Sequence, residues 1–176
     1  MKVRILIFIS VFCFSCSKVA PRKPINPKPS STILKETIKE SIRLNSIEDN
    51  AILQVIKKDS TINYKVSPNG FWYFYKNKIE ENTPTPKAGD VISIEYNITD
   101  LQGVVIYSEE ELGVKNYKVD KEDFISALQS GIKLMKVGET ITFVIPSYNA
   151  FGISGDGNKI GINQSIKSTV TLINIK

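Results

Sequence analysis

Three stretches of strict alternation constrain the second half of this chain. Ile92, Ile94, Tyr96 and Ile98 fall on every second position, as do Ile141, Phe143 and Ile145, and again Ser168, Val170 and Leu172. A period of two puts each set on one face of a pleated strand, so each stretch reads as a strand with one buried face. Asp123 to Gln129 reads as a single short helix ahead of a turn at Gly131. Upstream, Ile62 to Val66 and Phe71 to Lys76 read as strands around the proline turn Ser67-Pro68-Asn69-Gly70. Alternate residues of the run Phe71-Trp72-Tyr73-Phe74-Tyr75 must face opposite sides, which suits a core better than a stacking platform. About 100 residues of such sheet suffice for one core. The fold class is therefore α+β: an antiparallel sheet with one short helix, behind an N-terminal helical segment.

That segment covers 32–59, where Leu34, Ile38, Ile42, Ile47, Ile52, Leu53 and Ile56 approach helical spacing. Asn45-Ser46 should interrupt it and leave two short helices. Before it, Lys2 and Arg4 precede an apolar run from Ile5 to Phe14, too short to span a bilayer and suited to a signal-peptide core. The division expected is a signal peptide at 1–15, a Pro/Lys-rich tether at 16–31, the helical segment, and a folded domain at 60–176. Ser15-Cys16 ends the apolar core as in a bacterial lipoprotein box, which makes Cys16 the candidate lipidated residue and places the protein in the cell envelope, facing the periplasm. Cys13 stands where the box usually has an aliphatic residue, and a plain secretory signal or a buried anchor are the alternatives.

Composition removes several classes of chemistry. The chain has no histidine, and both cysteines, Cys13 and Cys16, lie in the leader. Triads, disulfides and Cys- or His-based metal sites are thus excluded from the folded part, and no cofactor is expected. The net charge of +5 is uneven: six Lys/Arg and no acid lie in 1–30, leaving 17 basic and 18 acidic residues in 31–176. The basicity belongs to the leader and tether, where it suits export and anionic lipid, and nucleic acid is not an expected partner. Gly152 to Gly161 lacks the Gly-Lys-Ser/Thr ending of a phosphate loop, and its one acid, Asp156, is too few for a calcium loop.

Five short motifs occur in a fixed order: Pro86-Lys87-Ala88-Gly89-Asp90, Gly103-Val104-Val105-Ile106-Tyr107-Ser108, Ala127-Leu128-Gln129-Ser130-Gly131-Ile132, Met135-Lys136-Val137-Gly138-Glu139 and Ile145-Pro146-Ser147-Tyr148-Asn149-Ala150-Phe151-Gly152. Their order and spacing resemble the FKBP-type peptidyl-prolyl isomerases. With Gly70 to Tyr75, Glu110 to Tyr117, Leu134 to Thr140 and Asn158 to Gly161, the chain is most similar to the gliding-motility-associated FKBP-type lipoproteins of Bacteroidetes. The resemblance implies an FKBP-like sheet wrapped on its helix, proline-containing protein substrates and a membrane-tethered folding enzyme, monomer or homodimer. Some members dimerise through N-terminal helices, while a helix packed on its own domain is the other reading of 32–59.

The resemblance also supplies a pocket. It matches Tyr96, Ile106, Tyr107, Tyr117, Phe124, Ile125, Leu128, Phe151 and Val170 to the family's site positions, with the Ile125 N–H set to hold a substrate carbonyl. Gly152 to Gly161 matches the loop that overhangs the site. Tyr107 replaces an aspartate, Leu128 a tryptophan, Phe151 a tyrosine and Val170 a phenylalanine, so polar handles and aromatic walls are expected to be lost. Isomerase activity is then expected to be weak, and Leu128→Trp with Tyr107→Asp should raise activity or macrolide affinity. An FKBP-fold chaperone or structural part of an envelope assembly is the alternative to an enzyme.

Overall fold

The structure, a computed structural model, describes residues 31–176; the expected signal peptide, the expected tether up to residue 30 and Cys16 lie outside the described residues. Two compact units divide the chain: Met1–Glu36, of which 31–36 are described, and Thr37–Lys176. The second unit holds the sheet, the cleft and the N-terminal helix from Thr37 onward.

Helix α1 (Ser31–Lys58) is continuous, where Asn45-Ser46 predicted a break. The Ser46 hydroxyl donates to the Ile42 carbonyl one turn back (2.9 Å), so it finds its partner inside the helix instead of opening it. Beyond the serine, packing takes over. Ile52 is wholly buried against Trp72 and Val144, with Leu53 and Ile56 alongside. Ile38, Ile42 and Leu44 in the preceding turns remain exposed. No helix among the described residues is long and apolar enough to cross a membrane.

The strands are β1 (Lys65–Ser67), β2 (Phe71–Asn77), β3 (Val91–Tyr96), β4 (Ile98–Thr99), β5 (Val105–Tyr107), β6 (Lys115–Lys118), β7 (Thr140–Ile145) and β8 (Ile166–Ile175). They form one antiparallel sheet in the order β1-β2-β7-β8-β3-β6, and the short β4 pairs with both β5 and β8. Register explains the alternation. Ile141 opposes Val170, Phe143 opposes Ser168 and Ile145 opposes Ile166, so the predicted inward sets meet on one face. Tyr96 opposes Val170 and extends that face into β3. On the other face Thr140 meets Thr171 and Thr142 meets Thr169, each pair joined by a hydroxyl–hydroxyl hydrogen bond of 2.9 Å.

The aromatic run divides as a period of two requires. Phe71, Tyr73 and Tyr75 join the main core, whereas Trp72 faces α1 on the reverse side and Phe74 stacks edge-on with Tyr64. The main core is closed by α3 (Ser126–Ile132), whose Ala127, Leu128, Gly131 and Ile132 are buried. The helix starts later than predicted. Phe124 and Ile125 stay outside it, and the Gln129 side chain donates to the Phe124 carbonyl (2.8 Å).

The Lys136-Val137-Gly138-Glu139 motif has a structural reason. Glu139 is buried, and its two carboxylate oxygens accept the backbone N–H groups of Ile79 (2.9 Å) and Lys136 (2.8 Å). Lys136 Nζ in turn donates to the Ile79 carbonyl (2.9 Å). One carboxylate thus pins the linker between β2 and β3 to the turn before β7.

Candidate functional site

At one end of the sheet the core opens into an apolar cleft of about 530 Å³. Tyr96 and Ile98 arrive from β3 and β4 on the inward face already set by the alternation. Phe124 and Ile125 come from the extended segment before α3, and Ala150 and Phe151 from the turns after β7. Tyr107, at the end of β5, and Leu112, in the short helix α2 (Glu109–Leu112), close the far side. The Ser108 side chain starts α2 by accepting the Glu111 N–H (3.2 Å), and Gly113 ends it.

Of the residues singled out from the sequence, Tyr96, Tyr107, Phe124, Ile125 and Phe151 line this cleft. Tyr117, Leu128 and Val170 have no exposed surface and lie beneath it in the core. Ile106 is half-buried and packs against the core beside the cleft. The reasons are positional. Val170 sits mid-sheet between Tyr96 and Ile141, and Leu128 lies on the buried side of α3. Tyr117 supports the wall from behind, its ring 5.3 Å from that of Phe124, while its hydroxyl accepts the Asp120 N–H (3.2 Å). On the cleft side Phe124 stands edge-on to Tyr96 at 5.4 Å and 89°. Phe124 is thus held between two tyrosines.

Ile98, Leu112, Lys115, Asp123, Ala150 and Asp156 also line the cleft and were not among the predicted residues. Ile98 was legible, since it continues the Tyr96 face. Asp156 was not, because its role depends on a partner 49 positions away. The Tyr107 hydroxyl donates to Asp156 Oδ2 (2.5 Å), and the other carboxylate oxygen accepts the N–H groups of Asn158 (2.9 Å) and Ile160 (2.8 Å). Lys159 Nζ lies over the Tyr107 ring (4.6 Å) and pairs with Glu111 (2.5 Å). Gly155 makes the turn possible: its φ is +63°, and a Cβ there would stand 2.3 Å from the Ile160 carbonyl oxygen. The loop across the cleft is thereby latched to β5 and α2.

This latch revises the expectation that polar handles are lost. A hydroxyl–carboxylate pair is present, with the hydroxyl on β5 and the carboxylate on the loop. Tyr107→Asp would set a second carboxylate beside Asp156, and Leu128→Trp would force a larger ring into a filled core site. Both substitutions therefore work against contacts present in this chain.

The hydrogen bond to Asp156, with burial adding to it, raises the Tyr107 hydroxyl above its ordinary pKa. Burial pushes the Asp156 carboxyl up, but the bonds from Tyr107 and from the Asn158 and Ile160 amides outweigh it, and the net shift is downward. A lowered carboxyl keeps the latch fully formed above the unlatched Asp value, near about 3.9, and loses it as pH falls through the latched value. A raised tyrosine keeps it below about 10 and loses it as pH rises through its own latched value. With no histidine in the chain, catalysis at this cleft is expected to be flat between about pH 5 and 9. A pH profile of kcat/KM checks this; a bell with a limb near neutrality would contradict it.

The cleft is lined mainly by hydrophobic and aromatic side chains and holds neither a thiol nor an imidazole. It can therefore strip water from a segment of polypeptide, and it offers no cysteine or histidine nucleophile. Comparison with known proteins agrees with that chemistry. Residues 82–173 match the family model of the FKBP-type peptidyl-prolyl cis-trans isomerases. The probable FKBP-type peptidyl-prolyl cis-trans isomerase FkpA of Neisseria meningitidis serogroup B is 30% identical over 111 residues, 63% of this chain and 40% of that protein, so the chain spans less than half that relative's length. FK506-binding protein 2 of Dictyostelium discoideum is 32% identical over 101 residues, 57% of this chain and 76% of that one. Among solved structures, FkpA from Escherichia coli superposes with a TM-score of 0.61 at 18% identity, covering 100% of this chain and 82% of that one. A peptidyl-prolyl cis-trans isomerase from Pseudomonas syringae pv. tomato gives 0.60 at 19% identity, covering 73% and 90%. The matched segment takes in β3 to β7, most of β8 and every residue that lines the cleft, and the chain belongs to the FKBP-type peptidyl-prolyl cis-trans isomerase family.

Proposed function

We propose that this chain accelerates rotation about the X-Pro bond of proline-containing proteins, and that its cleft is the site of that reaction. The observation that carries the reading is the wall made by Tyr96, Phe124, Ile125 and Phe151, open to solvent on one side and backed by the filled core. Rotation needs no nucleophile and no metal. The barrier, about 18–20 kcal/mol, comes from conjugation of the amide nitrogen with the carbonyl. In the twisted transition state that conjugation is lost and the carbonyl needs less solvation. A dry apolar wall therefore favours the twisted amide over the planar one, which is differential binding of the transition state. Phe124, Phe151 and Tyr96 would enclose the prolyl ring, and the Ile125 N–H, ahead of the first turn of α3, would hold a substrate carbonyl.

The clients fitting this reading are exported or envelope proteins, gliding-motility components among them, with the enzyme tethered by lipid on Cys16 and facing the periplasm. Support for that location lies in the leader, with its basic start, short apolar run and Ser15-Cys16 pair. Loss of lipid labelling and membrane retention in Cys16→Ser tests the anchor.

The decisive measurement is a cis/trans exchange assay on X-Pro peptides with the purified chain, scanned over the residue before proline. Acceleration that saturates with peptide is expected. Peptide binding without acceleration would replace the enzyme with a binding module of the same fold.

A further inference from the structure

Helix α1 reaches the cleft's loop without touching the cleft. Between β7 and β8 the chain leaves the sheet after Ile145 and re-enters it at Ile166, and those two residues face each other in register. The excursion carries Ala150, Phe151 and Asp156 into the cleft. Its tip is latched to β5 and α2 by Asp156 and Lys159, as described above. Its base is held by one side chain from elsewhere. Glu48, on α1, accepts the Ser147 N–H (2.6 Å) and the Ser165 hydroxyl on Oε1, and the Ser147 hydroxyl (2.8 Å) on Oε2. A single carboxylate therefore bridges the second residue of the excursion and its last, 99 and 117 positions further along the chain. The neighbouring Asp49 accepts the Tyr148 hydroxyl (2.8 Å), which holds the first turn of the excursion to the same helix.

We propose that Glu48 is a positioning residue for isomerisation, acting through the base of this excursion to fix Phe151 and Asp156 in the cleft. The claim rests on the isomerase reading for its kinetics. Sheet pairing fixes Ile145 and Ile166, but Phe151 lies several residues beyond the last pair, where side chains set the path of the backbone. Asn149 contributes as well, donating to the carbonyls of Asn69 (2.9 Å) and Gly70 (2.8 Å). Glu48 joins both ends with one side chain. Its three hydrogen bonds go to a carboxylate, and such bonds are shorter and stronger than neutral ones. Removing the carboxylate would free Ser165 from Ser147 and leave the buried Ser147 N–H without its acceptor. The wall residue Phe151 would then sample positions away from the prolyl ring, and displacements of about 1 Å in such groups are enough to lower turnover greatly.

The test uses the full-length chain and compares Glu48→Ala with Glu48→Gln. The amide keeps one oxygen for the Ser147 N–H and the Ser165 hydroxyl, and the Ser147 hydroxyl can turn to accept from its NH2 group. Glu48→Ala is expected to lower kcat about tenfold with little change in KM. It should also speed amide hydrogen exchange across 150–157, and Glu48→Gln should restore most of both. Should Glu48→Ala fail to fold, Ser165→Ala removes one end of the bridge and is expected to show the same two effects, smaller in size. A loss of thermal stability with kcat, KM and exchange in 150–157 unchanged would make Glu48 a stabilising contact only and overturn the proposal. If wild-type chain shows no isomerisation, the isomerase reading fails, while exchange across 150–157 still decides whether Glu48 holds the loop.

Discussion

Phe124→Ala is expected to lower kcat/KM by about tenfold to a hundredfold while the protein remains folded. The ring stands in the cleft between Tyr96 (5.4 Å) and Tyr117 (5.3 Å), half-buried rather than part of the filled core. Covering a phenylalanine with another apolar group stabilises by roughly 1.5–3 kcal/mol. At about 1.36 kcal/mol per tenfold change in rate, that contact accounts for the range given, provided it is made more fully by the twisted amide than by the planar one. The side chain it exposes on removal, Tyr117, keeps the bond between its hydroxyl and the Asp120 N–H, so the edge of β6 should persist. Cis/trans exchange rates beside a thermal melt separate the two effects. Full activity in Phe124→Ala would mean that the prolyl ring sits elsewhere.

Gly131→Ala should cost the fold much of its stability, because the added methyl meets the filled core. A Cβ at that position would lie 2.4 Å from Phe143 Cε1 and 2.8 Å from Cζ. Phe143 has no exposed surface and is packed against the rings of Phe71 and Tyr73 at 5.8 and 6.3 Å, so it cannot swing aside. The helix must lift off the sheet instead. Overpacking of this kind costs roughly 1–3 kcal/mol, and the overlap here argues for the upper end, a fall in Tm of about 6–12 °C. Urea denaturation of Gly131→Ala against Ser130→Ala, a half-buried neighbour, provides the comparison. Equal midpoints would show that the core yields at Phe143. Lifting α3 would also carry Ile125 away from Phe151, so activity should fall with stability.

Much of this was legible in the sequence because alternation is a local property. Ile92, Ile94, Tyr96 and Ile98 declare an inward face whatever their partners are, and the same holds for Ile141 to Ile145 and Ser168 to Leu172. The family resemblance matched Tyr96, Tyr107, Phe124, Ile125 and Phe151 to site positions, and all five line the cleft. Helix α1 was harder. Residues 32–59 carried a helical period and an apparent break at Asn45-Ser46, and nothing local said that Ile52 would be buried on Trp72 and hold the helix together. The depth of a side chain also escaped local reading. Tyr117, Leu128 and Val170 have the same apolar character as the cleft residues, and only their position beneath the cleft decided that they fill the core.

What the sequence by itself determined is the class of chemistry: an antiparallel sheet around one short helix, with no histidine or cysteine in the folded part, can present a dry apolar surface but not a nucleophile of either kind. What only the tertiary structure decided is where the polar groups sit around that surface. Tyr107 and Asp156 form a pair, Lys159 meets Glu111, and Glu48 bridges Ser147 and Ser165, each across 48 or more positions of chain. A hydrogen bond depends on direction and on distances of a few ångströms, and neither follows from residue type or spacing once the partners belong to different elements.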